Sequence, residues 1–538
     1  MRRTFLMACV GLLAAGCGER NDWWDEPLDY NSQVAVHGMA AGVAVVDPLA
    51  ERVIYASPET AEALSFRQAE MDRGYAASLP TADGDRLVVL TRGDVPRRRA
   101  DDEGPSLSVL DLSVNPVLDE NGAPQTTRYD LADPLSGLAL DPTSEFALVY
   151  PSASDTAFVQ NLNELVLVKL SAPPSESNPI PTTLRSFGGR PEGFTFTPEL
   201  NLPGGKSRLL VVRTDRDVAL IDLAAPEKPE ITVKLSSGGN SPHPIGIAVD
   251  DGAPEDPNDA RVAIRLQNDP SVILLDLLPT PADKAATSPH AFLPAPNIVD
   301  VGGVPGDVTF GKTDGGLRLL ATVPSLSALV LVEPATGVAT NVSLGAPFDR
   351  LSIVTDVVGQ TEKGSDVALL WSTMSPEVAF VALGSTVGKP YKAVERLSLD
   401  RPVERVIDVP APNDHLKVLV TDGGTSFLVL NMLARTASPL STNVSNTQVV
   451  ASPDGQRLWM FVPGVDNLAQ VTVDNLHPRN LYLNYPVTAA FDVARKDGGR
   501  AAIAVHGVGT MGLSLLDGQA PSVDKTTEYL GILLGDYQ

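Results

Sequence analysis

Gly246-Ile-Ala-Val-Asp250, then Arg261-Val-Ala-Ile264, then Val272-Ile-Leu-Leu-Asp276 are three short apolar runs separated by Asp, Pro and Gly. Each is the length of a strand, and the turn residues between them forbid a continuous helix. The same order returns elsewhere. Gly137-Leu-Ala-Leu-Asp141-Pro142 precedes Phe146-Ala-Leu-Val-Tyr150, and Gly42-Val-Ala-Val-Val-Asp47-Pro48 precedes Arg52-Val-Ile-Tyr-Ala56. Ala451-Ser-Pro-Asp-Gly-Gln-Arg-Leu-Trp459 and Phe491-Asp-Val lead into Ala501-Ala-Ile-Ala-Val505 and Leu513-Ser-Leu-Leu-Asp517. A third strand closing on a Leu-Asp-Leu-like pattern recurs at Leu107–Leu112, Ala219–Leu223 and Leu329–Val332.

Modules of this kind begin near residues 40, 80, 135, 192, 245, 306, 350, 404, 447 and 488. Their spacing of roughly 40 to 60 residues is that of a propeller blade. A strand of five or six residues cannot bury both faces alone, whereas four-stranded blades stacked around an axis bury them and leave short edges. The expectation is an all-β chain, a β-propeller of about 7–10 four-stranded blades over residues 35–538, as one large ring or two joined rings. A β-sandwich array is the alternative. The turn Ser452-Pro-Asp-Gly455 and the Asp-Pro turns resemble strand connections of YVTN-type bacterial propellers. Pro-rich stretches at Asp94–Pro105, Val114–Gln125, Ala172–Pro181 and Leu278–Pro296 read as surface loops.

The first residues carry a different signal. Arg2 and Arg3 precede the apolar run Phe5–Leu13, and Ala14-Ala15-Gly16 leads to Cys17. That run is too short to span a bilayer, which needs about 20 apolar residues. The arrangement resembles a bacterial lipoprotein signal peptide over residues 1–16. The resemblance implies diacylglycerol on the Cys17 thiol and cleavage before it. Cys9 would leave with the leader, so Cys17 would be the sole remaining cysteine. Gly18 in place of Asp points to the outer membrane, facing the periplasm or the surface. Residues 17–34 then read as an acidic tether with Glu19, Asp22, Asp25, Glu26 and Asp29, interrupted by Trp23-Trp24.

Loss of Arg2 and Arg3 with the leader takes the formal charge from −25 to −27. A chain this acidic repels phosphate backbones, so nucleic acid is not an expected partner. The expected contacts are the membrane through the lipid and an envelope protein or small ligand.

No HExxH, CxxCH or GxSxG motif occurs. Gly204-Gly205-Lys206-Ser207 ends like a phosphate loop, but Leu200 stands where that loop needs its first glycine, so a hairpin turn is expected. Arg97-Arg98-Arg99 is followed by Asp101-Asp102-Glu103, which reads as charge balance within one loop. Asp250, Asp251, Glu255, Asp256 and Asp259 crowd one inter-strand loop and are the weak candidates for Ca2+.

Aligning modules on their first strand gives the remaining candidates. One position holds Ser136, Glu192, Ile245, Gly306, Asp349 and Glu404; the next holds Gly137, Gly193, Gly246, Asp307, Arg350 and Arg405. Charges at the start of inner strands converge on a channel mouth. Asp307, Asp349, Arg350, Glu404 and Arg405, with Glu192 opposite, are therefore the candidate binding site. The expected role is an envelope-anchored binding or scaffold module. The alternative is a lactonase-like propeller hydrolase with a metal at the mouth.

Overall fold

The computed structural model describes residues 34–534 apart from 121, 153–154, 156–157, 160, 186–189, 236–241, 254–255, 358–364, 422–425, 441–446 and 508–510. The leader, Cys17, the Trp pair and Glu255 lie outside the described residues. The chain forms ten four-stranded antiparallel sheets, each made of strands consecutive in sequence. These are the ten blades of one propeller ring. Their first strands are Ala35–Met39, Tyr75–Pro80, Gly137–Leu140, Pro191–Phe196, Pro244–Asp250, Asp307–Thr313, Arg350–Val357, Val403–Asp408, Gln448–Ala451 and Ala489–Ala494. Each first strand ends its sheet, and neighbouring first strands such as those of blades 5, 6 and 7 lie side by side, so these strands line the channel.

Ten modules were expected and ten blades form, with starts within a few residues of those read from sequence. Blade 1 differs. Gly42–Asp47 is its second strand, because Ala35–Met39 precedes it across the tight connection Ala40-Ala41. That strand carries His37-Gly38 and lacks the Asp/Pro turn used to mark module starts. The expected loop Leu278–Pro296 is shorter, with strand at both of its ends. Leu278 pairs with Leu293 and Pro279 with Phe292, leaving a connection over 280–291. The Gly204-Gly205 stretch is the turn of a small hairpin, Leu200–Leu202 with Gly205–Ser207, inserted in blade 4.

The packing explains the long apolar runs. Among the described residues ten buried hydrophobic clusters occur, one between each pair of adjacent blades. In the second strand of blade 2, Leu87 and Val89 enter the seam with blade 1, while Val88 and Leu90 enter the seam with blade 3. All four are fully buried. A strand covered on both faces needs apolar side chains at successive positions, as sheets buried on both faces do. Each such Leu or Val contributes about 1.5–3 kcal/mol through burial.

Polar contacts lock the seams at the hairpins between first and second strands. Ala40 N donates to Gly84 O at 2.9 Å, Ala82 N to Ser144 Oγ at 2.7 Å, and Asn413 Nδ2 to Gly455 O at 3.0 Å. Gly84, Ser144 and Gly455 all lie in Asp/Ser turns of the Ser452-Pro-Asp-Gly455 kind. Arg208 of blade 4 reaches back to Asp141, Thr143 and Glu145 of blade 3. In the seam of blades 9 and 10, the buried Asp492 carboxylate accepts Trp459 Nε1 at 2.9 Å and Arg457 Nε at 3.4 Å, and pairs with Arg500.

Among the described residues no strand crosses between blades 10 and 1. The ring closes by face packing of Val43, Val45 and Ile54 on Val493, Ile503 and Leu513. Ala494 N donates to Ala40 O at 3.0 Å and Leu64 N to Tyr529 Oη at 2.8 Å, and the Phe66 and Tyr529 rings meet edge-on at 5.4 Å.

Asp492→Ala removes one buried anion from two arginines. Breaking a buried pair in this way costs about 3–5 kcal/mol. The expected result is a clearly lower denaturation midpoint, read by urea titration, with Asp492→Asn losing less because it still accepts from Trp459.

Candidate functional site

The first strands begin at one mouth, and four of them open on the same local irregularity. The register slips at Ala76, Glu192, Ile245 and Glu404, each sitting between paired residues on either side. Bulges turn a strand and re-aim its side chains. The sequence alignment therefore placed Glu192, Ile245 and Glu404 at equivalent positions, and the structure keeps them so.

The next position is decided across the strand pair. Gly193 faces Arg213, Gly246 faces Arg265 and Gly137 faces Tyr150, each at or near the end of a second strand. A Cβ on Gly193 would collide with the Arg213 guanidinium, and one on Gly246 would stand 3.0 Å from Arg265 Nε. Glycine at these two places leaves room for the arginine to fold over the first strand. Asp307, Arg350 and Arg405 instead face Thr322, Trp371 and Val420. Where the first strand offers no side chain, the second supplies one. Sequence reading missed Arg213 and Arg265; the glycines opposite them were the available signal.

The arginines also bridge blades. Arg213 Nη1 donates to Pro244 O and Arg265 Nη1 to Pro305 O, both at 3.3 Å, each carbonyl belonging to the next blade's entry. Arg92 Nε makes the same link to Pro134 O at 3.2 Å. Beside Pro305, Asp307 accepts Leu351 N of blade 7 at 3.3 Å. Burial pushes the Asp307 carboxyl above the usual carboxylate range, against the pull of two backbone N–H groups, Arg265 and Arg350. Burial, with Arg350 and Arg213 nearby, lowers the Arg265 guanidinium, and Asp307 opposes this. Arg265 Nε is buried with no hydrogen-bond partner among the described residues.

The other candidates separate by role. The Asp349 carboxylate accepts Thr373 N at 3.0 Å and Thr373 Oγ1 at 2.8 Å within its own blade, so it serves a turn. Glu192 Oε2 lies 3.4 Å from His243 Nε2 across the seam of blades 4 and 5. Glu404 and Arg405 are exposed at the opening of blade 8, and Glu404 is engaged in contacts of its own. Glu192 stands three blades from Arg350 and four from Glu404 and Arg405. In a ten-blade ring only blades 5 and 6 separate blade 4 from blade 7, so Glu192 and Arg350 share one arc.

The acidic loop is used internally. Asp250 Oδ2 lies 3.6 Å from Arg261 Nη1, which belongs to a guanidinium also bonded to Asp276 at 2.8 Å. Asp259 accepts Ala253 N at 2.8 Å and Asp256 accepts Asn258 N at 2.9 Å. The Asp251 carbonyl takes Asn201 N at 3.1 Å. Among the described residues no three His, Cys, Asp or Glu side chains converge as a metal site. The Asp102 carboxylate, likewise, binds the backbone N–H of Arg98 and Arg99, at 2.5 and 2.7 Å.

No family model and no curated protein matches the chain. Solved structures resemble it at low identity. A dihydro-heme d1 dehydrogenase, NirN, in complex with DHE is 12% identical, with 85% of this chain and 74% of that one covered and a TM-score of 0.38. Sqt1 of Saccharomyces cerevisiae is 12% identical over 71% and 95%, with a TM-score of 0.41. The Dos1 propeller is 12% identical over 70% and 90%, with a TM-score of 0.39. The ten-blade assignment stands on the strand pairing of this chain itself.

Desolvation pushes the Asp250 carboxyl up to about 6, aided by Asp259 and Asp251 and opposed by Gly252 N–H and Arg261. A raised folded value means the protonated form favours the fold. That stability is full below the unfolded value near ~3.9 and is lost as pH rises through about 6. Asp250→Asn removes this titration. Urea midpoints at pH 4 and pH 7 are expected to show the variant gaining on the wild type at the higher pH. An unchanged difference between the two pH values contradicts the assignment.

Proposed function

We propose that the protein is an envelope-anchored binding or scaffold module whose working surface is the channel mouth at the start of the first strands. The observation that carries this reading is the concentration of Glu192, Arg213, Arg265, Asp307 and Arg350 on the openings of blades 4 to 7. A ring held by ten apolar seams supplies a rigid frame, and sites on rigid elements hold their geometry best. A ten-blade ring also encloses a wider channel than the usual 4–8 blades. A wide, charged mouth suits recognition of a polar group or a partner's protruding segment. The anchoring half of the proposal rests on the Arg2-Arg3 to Cys17 pattern, which tethers the frame through residues 17–34.

Two measurements test the two halves. Cells fed labelled palmitate are expected to label the wild-type chain and not Cys17→Ala; an unlabelled wild type ends the lipoprotein reading. Affinity capture from envelope extract is expected to lose its partner with Arg350→Glu or Glu404→Lys. If both variants stay folded and capture the same partner at wild-type level, the mouth is not the functional surface.

A further inference from the structure

We propose that Arg213, Arg265 and Arg350 form an arc at the channel mouth that binds a small multivalent oxyanion, phosphate or carboxylate. This rests on the reading of the mouth as the working surface. The three arginines come from blades 4, 5 and 7 and belong to the same mouth-end level of the sheets. Gly193 and Arg213 are a register pair, as are Gly246 and Arg265, and Arg350 occupies the glycine position of blade 7. Among the described residues none of the three has a carboxylate within 4.0 Å, although the chain carries 66 acidic residues against 41 basic ones. Other arginines of the described residues, such as Arg67 and Arg479, also lack a carboxylate in contact, so what sets these three apart is their common level at the mouth. Arg52, Arg208, Arg261, Arg457 and Arg500, all in seams, have one.

The bonds these arginines do make leave most of their donors unused. A guanidinium carries five N–H groups in a fixed fork. Arg213 and Arg265 each spend Nη1 on one carbonyl of the next blade. That contact fixes the side chain without neutralising it. Arg265 keeps a buried Nε with no partner among the described residues. Arg350 is exposed and makes no hydrogen bond among them. A buried donor without an acceptor is costly, so Arg265 is a guanidinium whose bonds the described residues do not complete. The fork geometry matches carboxylate and phosphate oxygens two at a time, which a lysine does not do. Three forks at separate seams call for an anion with more than one charged group.

Asp307 gives the arc a counter-charge. It sits between Arg265 and Arg350, is held by the N–H groups of Val308 and Leu351, and lies close enough to be felt by both guanidiniums. It keeps the empty arc from carrying three uncompensated charges, and it opposes an incoming anion. Removing it therefore has a sign that a purely structural arc does not predict.

The test is calorimetric titration of the detergent-solubilised full chain with pyrophosphate and with citrate at constant ionic strength. Chloride is the control. Saturable binding of one or both is expected. Stronger pyrophosphate binding assigns phosphate, and stronger citrate binding assigns carboxylate. Arg350→Gln and Arg213→Gln are each expected to weaken the ligand by about tenfold or more, the factor of a lost charge-assisted hydrogen bond. Arg213→Lys keeps the charge if the seam contact of Arg213→Gln proves necessary for folding; it is expected to bind less tightly than wild type. Asp307→Asn is expected to tighten binding several-fold. No saturable binding of either anion by the wild type, or wild-type affinity in Arg350→Gln and Arg213→Lys together, overturns the proposal. Envelope capture that remains sensitive to Arg350→Glu would then show that the mouth is functional for another kind of ligand.

Discussion

Everything in this fold follows from sheets that are apolar on both faces. A four-stranded blade such as residues 75–130 presents Leu87 and Val89 on one side and Val88 and Leu90 on the other. Neither side can face water without losing about 1.5–3 kcal/mol per residue. A linear stack would leave two bare faces at its ends. Closing the stack into a ring covers them without caps, and the tenth cluster, between blades 10 and 1, does this.

Closure without strand exchange places a particular demand on that last seam. In the other seams the connecting chain already holds neighbouring blades together. Between blades 10 and 1, among the described residues, side chains and a few backbone groups do so. The seam answers with Tyr529 on Leu64 N and Phe66, Thr527 on Glu62 O, Arg52 on the Leu533 carbonyl and Lys496 on Glu59. All but the Lys496 pair use the last strand and the segment after it, which reach across to the outer strands of blade 1. The terminal segment thereby substitutes for a covalent connection, at the one place where separation costs no chain strain.

Much of the architecture was legible because the turn chemistry repeats. The Asp and Ser turns at Asp141, Asp250 and Ser452 mark strand ends wherever they occur, and these turns also carry the inter-blade locks, so they are doubly constrained. Blade 1 was misread by one strand for the same reason: Ala35–Met39 turns into Gly42 through Ala40-Ala41, with no Asp or Pro to flag it. One ring rather than two could not be read, since closure depends on contacts between residues more than 400 positions apart, such as Leu64 with Tyr529. The site was half legible. Asp307 and Arg350 stand on first strands and were found by alignment. Arg213 and Arg265 stand on second strands, and their place at the mouth is a matter of antiparallel register, which alignment of first strands does not contain.

The glycines opposite those arginines bear on whether the mouth is more than a structural seam. A seam contact from Arg213 to Pro244 O needs one N–H and a defined chain position. It does not need the first strand stripped of its side chain. Glycine in a strand interior is unfavourable, from lost packing and greater backbone freedom, yet Gly193 and Gly246 both occur where a guanidinium lies over the strand. The same clearance serves Tyr150 over Gly137, where no charge is involved, so clearance alone is a packing device. What the packing device does not account for is the partner set. The Tyr150 ring packs at a tilt of 45° against Phe194, centroids 4.3 Å apart, an apolar contact made within the protein. Arg265 is given the same clearance and is left with a buried Nε that nothing among the described residues accepts from. The same clearance thus holds an aromatic ring packed on its neighbour in one blade and, in another, a guanidinium with an unpartnered buried N–H that belongs to the arc at the mouth.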